Sequence, residues 1–172
     1  MGQNSLDLIP ALVDALRNKE STLRSEAAQA LGKIGKNAPI VVPALNAALK
    51  DRDRGVRYNA VAALGQFGQA ASPAIPALIA GIERTEEDSP NERINSFLVP
   101  NISDTLGKIG KDAVPTLINM LKEKDKNVRA TAVDTLGKIG KDAKEAVPDL
   151  LVLFPDKELG DQAAKKKKKI AN

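Results

Sequence analysis

Three acid and arginine couples stand four residues apart at corresponding places, Glu20 with Arg24, Asp53 with Arg57 and Asp125 with Arg129. At that spacing a carboxylate and a guanidinium share a helix face, where they can coordinate an anion or satisfy each other. The second role is favoured, because a turn acid and a first-turn arginine can also link adjacent structural units. A second set of candidates is cationic: Lys33, Lys108 and Lys138 each stand two residues after the leucine of a Leu-Gly pair, and Lys165 to Lys169 form an unbroken run. Such lysines suit a carboxylate-bearing or phosphate-bearing partner. The chain has no His, no Cys and no Trp. Without imidazole or thiol there is no Ser-His-Asp or Cys-His machinery and no zinc site of the usual nitrogen and sulfur type. No catalytic residue, metal site or cofactor is assigned, and the chain reads as a non-enzyme.

What positions these residues is a repeat. Leu-Gly-Lys-Ile recurs at Leu31, Leu106 and Leu136, with Leu64-Gly65-Gln66-Phe67 between the first two. Prolines at Pro10, Pro43, Pro76, Pro115 and Pro148 are spaced by 33, 33, 39 and 33 residues. A period in that range predicts stacked helical units. The composition agrees: aromatic residues make up only 2% of the 172 residues, so each unit has small aliphatic side chains to bury and depends on its neighbours for stability.

Within a unit, the segments Ile9 to Leu16, Val42 to Leu49, Ile75 to Ile82 and Val114 to Leu121 carry apolar residues at helical spacing and define a helix A. Ser72 and Asp112 are expected to cap, which puts Pro73, Pro76 and Pro115 in or near a first turn, where few backbone donors are lost. A polar turn follows, at Asn18 to Ser21, Asp51 to Gly55 and Lys124 to Asn127. Helix B then places Leu23, Ala27, Leu31 and Ile34 inward, with Val56, Ala60, Leu64, Phe67 and Val128, Ala132, Leu136, Ile139 as equivalents. The alanines permit close approach of a neighbouring helix, and the second glycine of each Leu-Gly-x-x-Gly suits a left-handed stop.

These residues resemble the HEAT-like repeats named after phycobilisome bilin lyases: a Val-Pro-x-Leu helix A, an Asp-x-x-Val-Arg turn and an Ala-x-x-Leu-Gly-x-x-Gly helix B, over roughly residues 6 to 154. The resemblance implies an all-α, right-handed α-solenoid of about four to five stacked helix-turn-helix repeats, with the B helices lining its concave face. It is specific for fold and not for function, since such repeats serve scaffolds, regulators and lyase subunits alike. The expected organisation is a repeat domain over 5–155, with units near 5–37, 38–70, 71–111, 112–143 and a partial 144–155. Residues 156–172 are either a polar C-terminal cap or a disordered Lys-rich tail.

Opposite the inward stripe of helix B, Ser25, Gln29 and Lys33 share a face. Two residues before each Leu-Gly stand Gln29, Ala62, Asp104 and Asp134, and two residues after its leucine stand Lys33, Gln66, Lys108 and Lys138. Tyr58, the only tyrosine, occupies the outward place that Ser25 holds in the first unit, and suits an interface anchor. These outward columns are the expected partner-binding face.

The third unit departs from the rhythm: Leu64 to Leu106 is 42 residues and Leu106 to Leu136 is 30. The extra material holds the acidic cluster Glu83, Glu86, Glu87 and Asp88, and Ser89-Pro90 reads as a fresh helix start. Pro100 falls inside a helical pattern from Ile94 to Ile109, where a proline costs about 3 kcal/mol, so a kink or two short helices are expected.

Removing the five consecutive lysines leaves 21 basic against 22 acidic residues, so the high isoelectric point belongs to the C-terminal segment. Leu159, Ala163 and Ile170 make a thin apolar stripe there. No leader, N-myristoylation signal or membrane span is read, since Leu6 occupies the position that wants Ser or Thr, and the lack of cysteine agrees with a cytoplasmic protein. Three function classes follow: a non-catalytic protein-binding scaffold; a bilin lyase-type subunit or chaperone acting on phycobiliprotein-like partners, implied by the resemblance alone; and weak nonspecific nucleic-acid binding through the Lys-rich tail. The scarcity of stacking aromatics disfavours the last. Oligomeric state is open, with exposed ends at Leu6 and Phe154 where chains could stack.

Overall fold

The computed structural model describes residues 7–35, 39–87, 92–156 and 159–171, with side chains given outside 83–97. All regular elements among them are helical, and they fall into two compact units, Met1–Thr105 and Leu106–Asn172. The first holds α1 (Ile9–Ala15), α2 (Ser21–Ile34), α3 (Val41–Ala48), α4 (Arg54–Phe67), α5 (Ile75–Glu87) and most of α6 (Glu92–Ile109). The second holds the end of α6, then α7 (Val114–Met120), α8 (Lys126–Ile139), α9 (Val147–Val152) and α10 (Gly160–Ala171).

The expected helix A appears as α1, α3, α5 and α7, and helix B as α2, α4, α6 and α8. Helices of seven or eight residues such as α1, α3 and α7 do not hold alone in water, so their stability comes from what they bury. In the first unit that is Ile9 and Val13 of α1, Leu45 of α3 and Leu78 of α5, packed with Leu31 and Leu64 of the B helices. In the second, Leu117, Leu136, Leu150, Leu159 and Ile170 are fully buried. Pro10, Pro115 and Pro148 sit in first turns, where their missing N–H costs nothing.

Several expectations are corrected. Ser72 and Asp112 do not stand directly before α5 and α7: both lie in 3-10 turns, Gly68–Ala74 and Gly110–Ala113, that lead straight into those helices. The Ser72 hydroxyl donates to the Gln69 carbonyl at 2.5 Å, and α7 starts at Val114, directly after Ala113, which has no side chain to cap it. The i to i+3 bonds of such turns satisfy groups that a helix start otherwise leaves open. Gly68, Gly110 and Gly140 have φ of 53°, 81° and 71°, as a helix stop requires, but Gly35 has φ of −85°. Gly35 is needed for space, since a Cβ there would lie 2.6 Å from the Leu31 carbonyl oxygen and 2.9 Å from Val41 Cγ2.

Leu23 is 42% exposed instead of inward, whereas its equivalents Val56 and Val128 are 0% and 4% exposed. Val56 shares a face with Ala63, two turns on, and that face packs on α2; among the described residues no earlier helix pair covers the same face of α2. α6 runs unbroken through Pro100, so two short helices do not form. The Ser89-Pro90 start lies outside the described residues, as do the side chains of Glu83, Glu86, Glu87 and Asp88. Residues 160–171 are helical, and Leu159, Ala163 and Ile170 are buried.

Candidate protein-binding surface

The acid and arginine couples do not pair with each other. Asp53 Oδ1 accepts from the Val56 amide at 3.1 Å, and Asp125 Oδ1 accepts from the Asn127 and Val128 amides at 2.6 and 3.3 Å, so both cap their B helices. Each arginine instead donates to two carbonyls of its own turn: Arg24 to Asn18 and Lys19, Arg57 to Asp51 and Arg52, Arg129 to Glu123 and Lys124, at 2.7 to 3.1 Å. Arg24 also grips Asp51, 27 residues on, through Nε at 2.7 Å and Nη2 at 2.8 Å. Arg129 reaches Asp156, again 27 residues on, at 3.6 Å. The planar guanidinium fork of Arg24 serves two carbonyls and both oxygens of a carboxylate at once, more than the three N–H donors of a lysine can match one for one. The hydrogen bond from Arg24 holds the Asp51 carboxyl below its ordinary range, against the burial that pushes it up. These groups are therefore occupied in joining units, and Val99 stands in the arginine's place in the third unit.

Close approach of B helices rests on the first glycine of Leu-Gly as much as on alanine. A Cβ on Gly32 would lie 2.9 Å from both Cα and Cβ of Ala63, and one on Gly107 would lie 3.2 Å from Lys138 Cβ. Asn59 of α4 adds a polar clasp, its Nδ2 donating to Ser25 Oγ at 2.7 Å. Thr105 Oγ1 likewise donates to the Val61 carbonyl at 3.0 Å.

Of the outward columns, Ser25 is half-buried under Asn59, whereas Gln29, Lys33 and Gln66 are exposed and Tyr58 is 42% exposed. Together these place one aromatic on a surface of short polar side chains and one cation in the first unit. Asp104, in the first unit, and Lys108, in the second, are also exposed. Asp134 and Lys138 are tied to each other at 3.1 Å, and Lys166 reaches Asp134 at 2.7 Å. Burial pushes the Asp134 carboxyl up, but hydrogen bonds from Lys166 and Lys138 outweigh it and leave it below the usual carboxylate range. In the lysine run, Lys165, Lys168 and Lys169 are exposed, while Lys166 and Lys167 are half-buried.

That run belongs to a B helix, which the repeat pattern in the sequence did not reveal. Asp156 Oδ1 accepts from the Leu159 amide at 3.1 Å, the cap that Asp125 makes to Val128. Leu159, Ala163 and Ile170 then match Val128, Ala132 and Ile139 at a constant offset of 31 residues. Lys167 takes the place of Leu136 and masks the match, its stem half-buried in the manner of an amphipathic lysine.

No group of acidic side chains able to hold a metal ion occurs among the described residues. A small cleft beside Arg57, Leu78 and Leu98 holds roughly one water. No helix among the described residues is long and apolar enough to cross a membrane.

An all-α chain of helix pairs joined by short turns, repeating on a regular period, is a helical-repeat protein of the solenoid class. The HEAT-repeat family model matches residues 9–94 and 101–164, and the chain belongs to that family. No curated protein matches it. Among solved structures, the complex of CpcE and CpcF of phycocyanin lyase from Nostoc sp. PCC7120 is similar at 24% identity and a TM-score of 0.54, over 99% of this chain and 85% of that one. An archaeal HEAT-like repeat protein from Thermococcus onnurineus NA1 is 14% identical over 99% of this chain and 93% of that one, with a TM-score of 0.45. An engineered protein matches at 19% identity and a TM-score of 0.50, over 95% of this chain and 46% of its own length.

Proposed function

We propose that the chain is a non-catalytic scaffold that binds a protein partner through the outward faces of its B helices, with α2 and α4 as the principal contact. The observation that carries this reading is Tyr58, 42% exposed, among the exposed Gln29, Lys33 and Gln66. A large amphipathic ring held on a rigid helix and flanked by short polar groups is the composition of an interface anchor. Asp104 adds an exposed polar side chain to the first unit and Lys108 one to the second, whereas Asp134 and Lys138 contribute through the ion pairs that hold α8 and α10 together.

The test is capture from a lysate of the source organism, in the presence of nuclease, by the wild-type chain and by Tyr58→Glu. The expected result is a set of proteins held by the wild type and lost in the variant, with unchanged far-UV circular dichroism. Capture that is indifferent to Tyr58→Glu, or that disappears with nuclease, would overturn the reading. Action on a bilin-carrying protein is a second reading, supported by the family likeness alone; mixing with a bilin and recording the absorbance spectrum tests it. A third, nucleic-acid binding through the lysine run, requires a log-log salt slope steeper than about −2, since engaging all five lysines corresponds to roughly −4.5.

A further inference from the structure

Three large apolar side chains lie exposed at the end of α9: Leu151 at 44%, Val152 at 77% and Phe154 at 39%. One unit earlier the same places hold Ile118, Asn119 and Leu121, and Leu121 is only 4% exposed. The difference is one of cover. α7 packs against the Gly140–Ala146 turn, and the ion pair of Lys122 with Asp149 at 3.1 Å ties its end to α9. Among the described residues nothing does the same for α9. In the preceding repeat Ile118 is half-buried, Asn119 is exposed but polar, and Leu121 is covered. Scattered apolar residues on a surface need no explanation, whereas a contiguous apolar set that includes an exposed Phe154 in the place of a covered leucine has the composition of a contact face.

The neighbouring helix limits what can sit there. α8 receives α10 at Gly137 and Asp134, both of which meet Lys166. A shift of 31 residues carries those two positions onto Lys168 and Lys165. Glycine, which lets B helices touch at Gly32, Gly107 and Gly137, is thus replaced by lysine on the outer side of α10. A further B helix packed there, including one from a second copy of this chain, would meet the Lys168 side chain where Gly137 leaves open space for α10. A single helix laid over α9 meets no such obstacle. Lys165, Lys168 and Lys169 are exposed and, being three and four residues apart, share one face of α10, against a single acid, Asp161, in that helix.

We propose that the α9 and α10 face of the second unit is a docking site for an acidic amphipathic helix of a partner protein. Its apolar stripe covers Leu151, Val152 and Phe154, and carboxylates along one flank face Lys165 and Lys168. The surface is separate from that around Tyr58, and the proposal stands whether or not the α2 and α4 face binds.

The probe is a labelled synthetic helix with leucines at i, i+3, i+4 and i+7 and glutamates along one flank, titrated against the full chain by fluorescence anisotropy. Saturable binding is expected, weakened about tenfold or more by Val152→Asp, by Lys165→Glu with Lys168→Glu, and by scrambling the leucines of the probe. Added salt should weaken it, and Tyr58→Glu should leave it unchanged. Val152 is exposed enough that its replacement leaves the fold intact, which circular dichroism checks. The proposal is overturned if no saturable binding occurs, if the scrambled probe binds equally well, or if sedimentation velocity shows self-association that Val152→Asp abolishes, which would make a second copy the occupant.

Discussion

Gly32, Gly107 and Gly137 are equivalent residues, each in the last turn of its helix, so Gly→Ala changes the same chemistry at all three and the outcome turns on what the new methyl meets. At Gly32 it meets the backbone of α4, 2.9 Å from Ala63 Cα, and nothing there can rotate away. Restoring ordinary contact requires the two B helices to part by roughly half an ångström, an overpacking cost of about 1–3 kcal/mol. Alanine recovers about 1 kcal/mol through its better helix propensity, leaving a net loss of up to about 2 kcal/mol. At Gly107 the contact is Lys138 Cβ at 3.2 Å, so a few tenths of an ångström suffice and Gly107→Ala should be neutral or slightly stabilising. At Gly137 the methyl meets the flexible Lys166 side chain, which must swing off Asp134. Urea denaturation followed by circular dichroism ranks the three, and amide exchange in α2 and α4 shows whether the Gly32→Ala loss is local. Gly32→Ala equal to or more stable than wild type would refute the close packing of α2 on α4.

Asp51→Asn, which keeps the shape but gives up the charge held by Arg24, should cost about 1 kcal/mol after allowing for solvent screening, and Arg24→Lys should also lower the urea midpoint by losing the fork. The Asp51 and Asp134 carboxyls sit below their unfolded value near 3.8, so their contribution is intact above that pH and is lost as pH falls through the folded values. The urea midpoint should hold to about pH 5 and decline below about pH 4, with Asp51→Asn flattening the decline. Pro100→Ala in the continuous α6 should raise stability by about 1–3 kcal/mol, read as a higher melting temperature; no change would show that a bend at Pro100 is required by the packing around it. Tyr58→Ala should leave stability within about 0.5 kcal/mol while weakening partner capture about tenfold, measured on purified components once a partner is in hand.

By itself the sequence determined the fold class, the period of about 33 residues, and the helix start and stop marked by Pro115 and Gly140. Those features are local: a proline and a left-handed glycine act within a turn or two of themselves, and apolar spacing defines a face without reference to anything distant. It also located the exposed Tyr58 and the Gln29, Lys33 and Gln66 columns, because outward positions follow from the same helical period. The capping roles of Asp53 and Asp125 were not legible, because each acid also stands four residues from an arginine and reads as its partner. Only the tertiary structure decided which groups of neighbouring repeats meet. Arg24 passes over Glu20 for Asp51, 27 residues away, Leu23 is bare where Val56 is covered, and Lys166 bends to Asp134. The lysine run proved to be the B helix of a fifth pair, its pattern hidden by Lys167 in a leucine's place. Periodicity tells each residue which way it points; what it finds there depends on the helix packed against it, and that is set by the burial of every unit together.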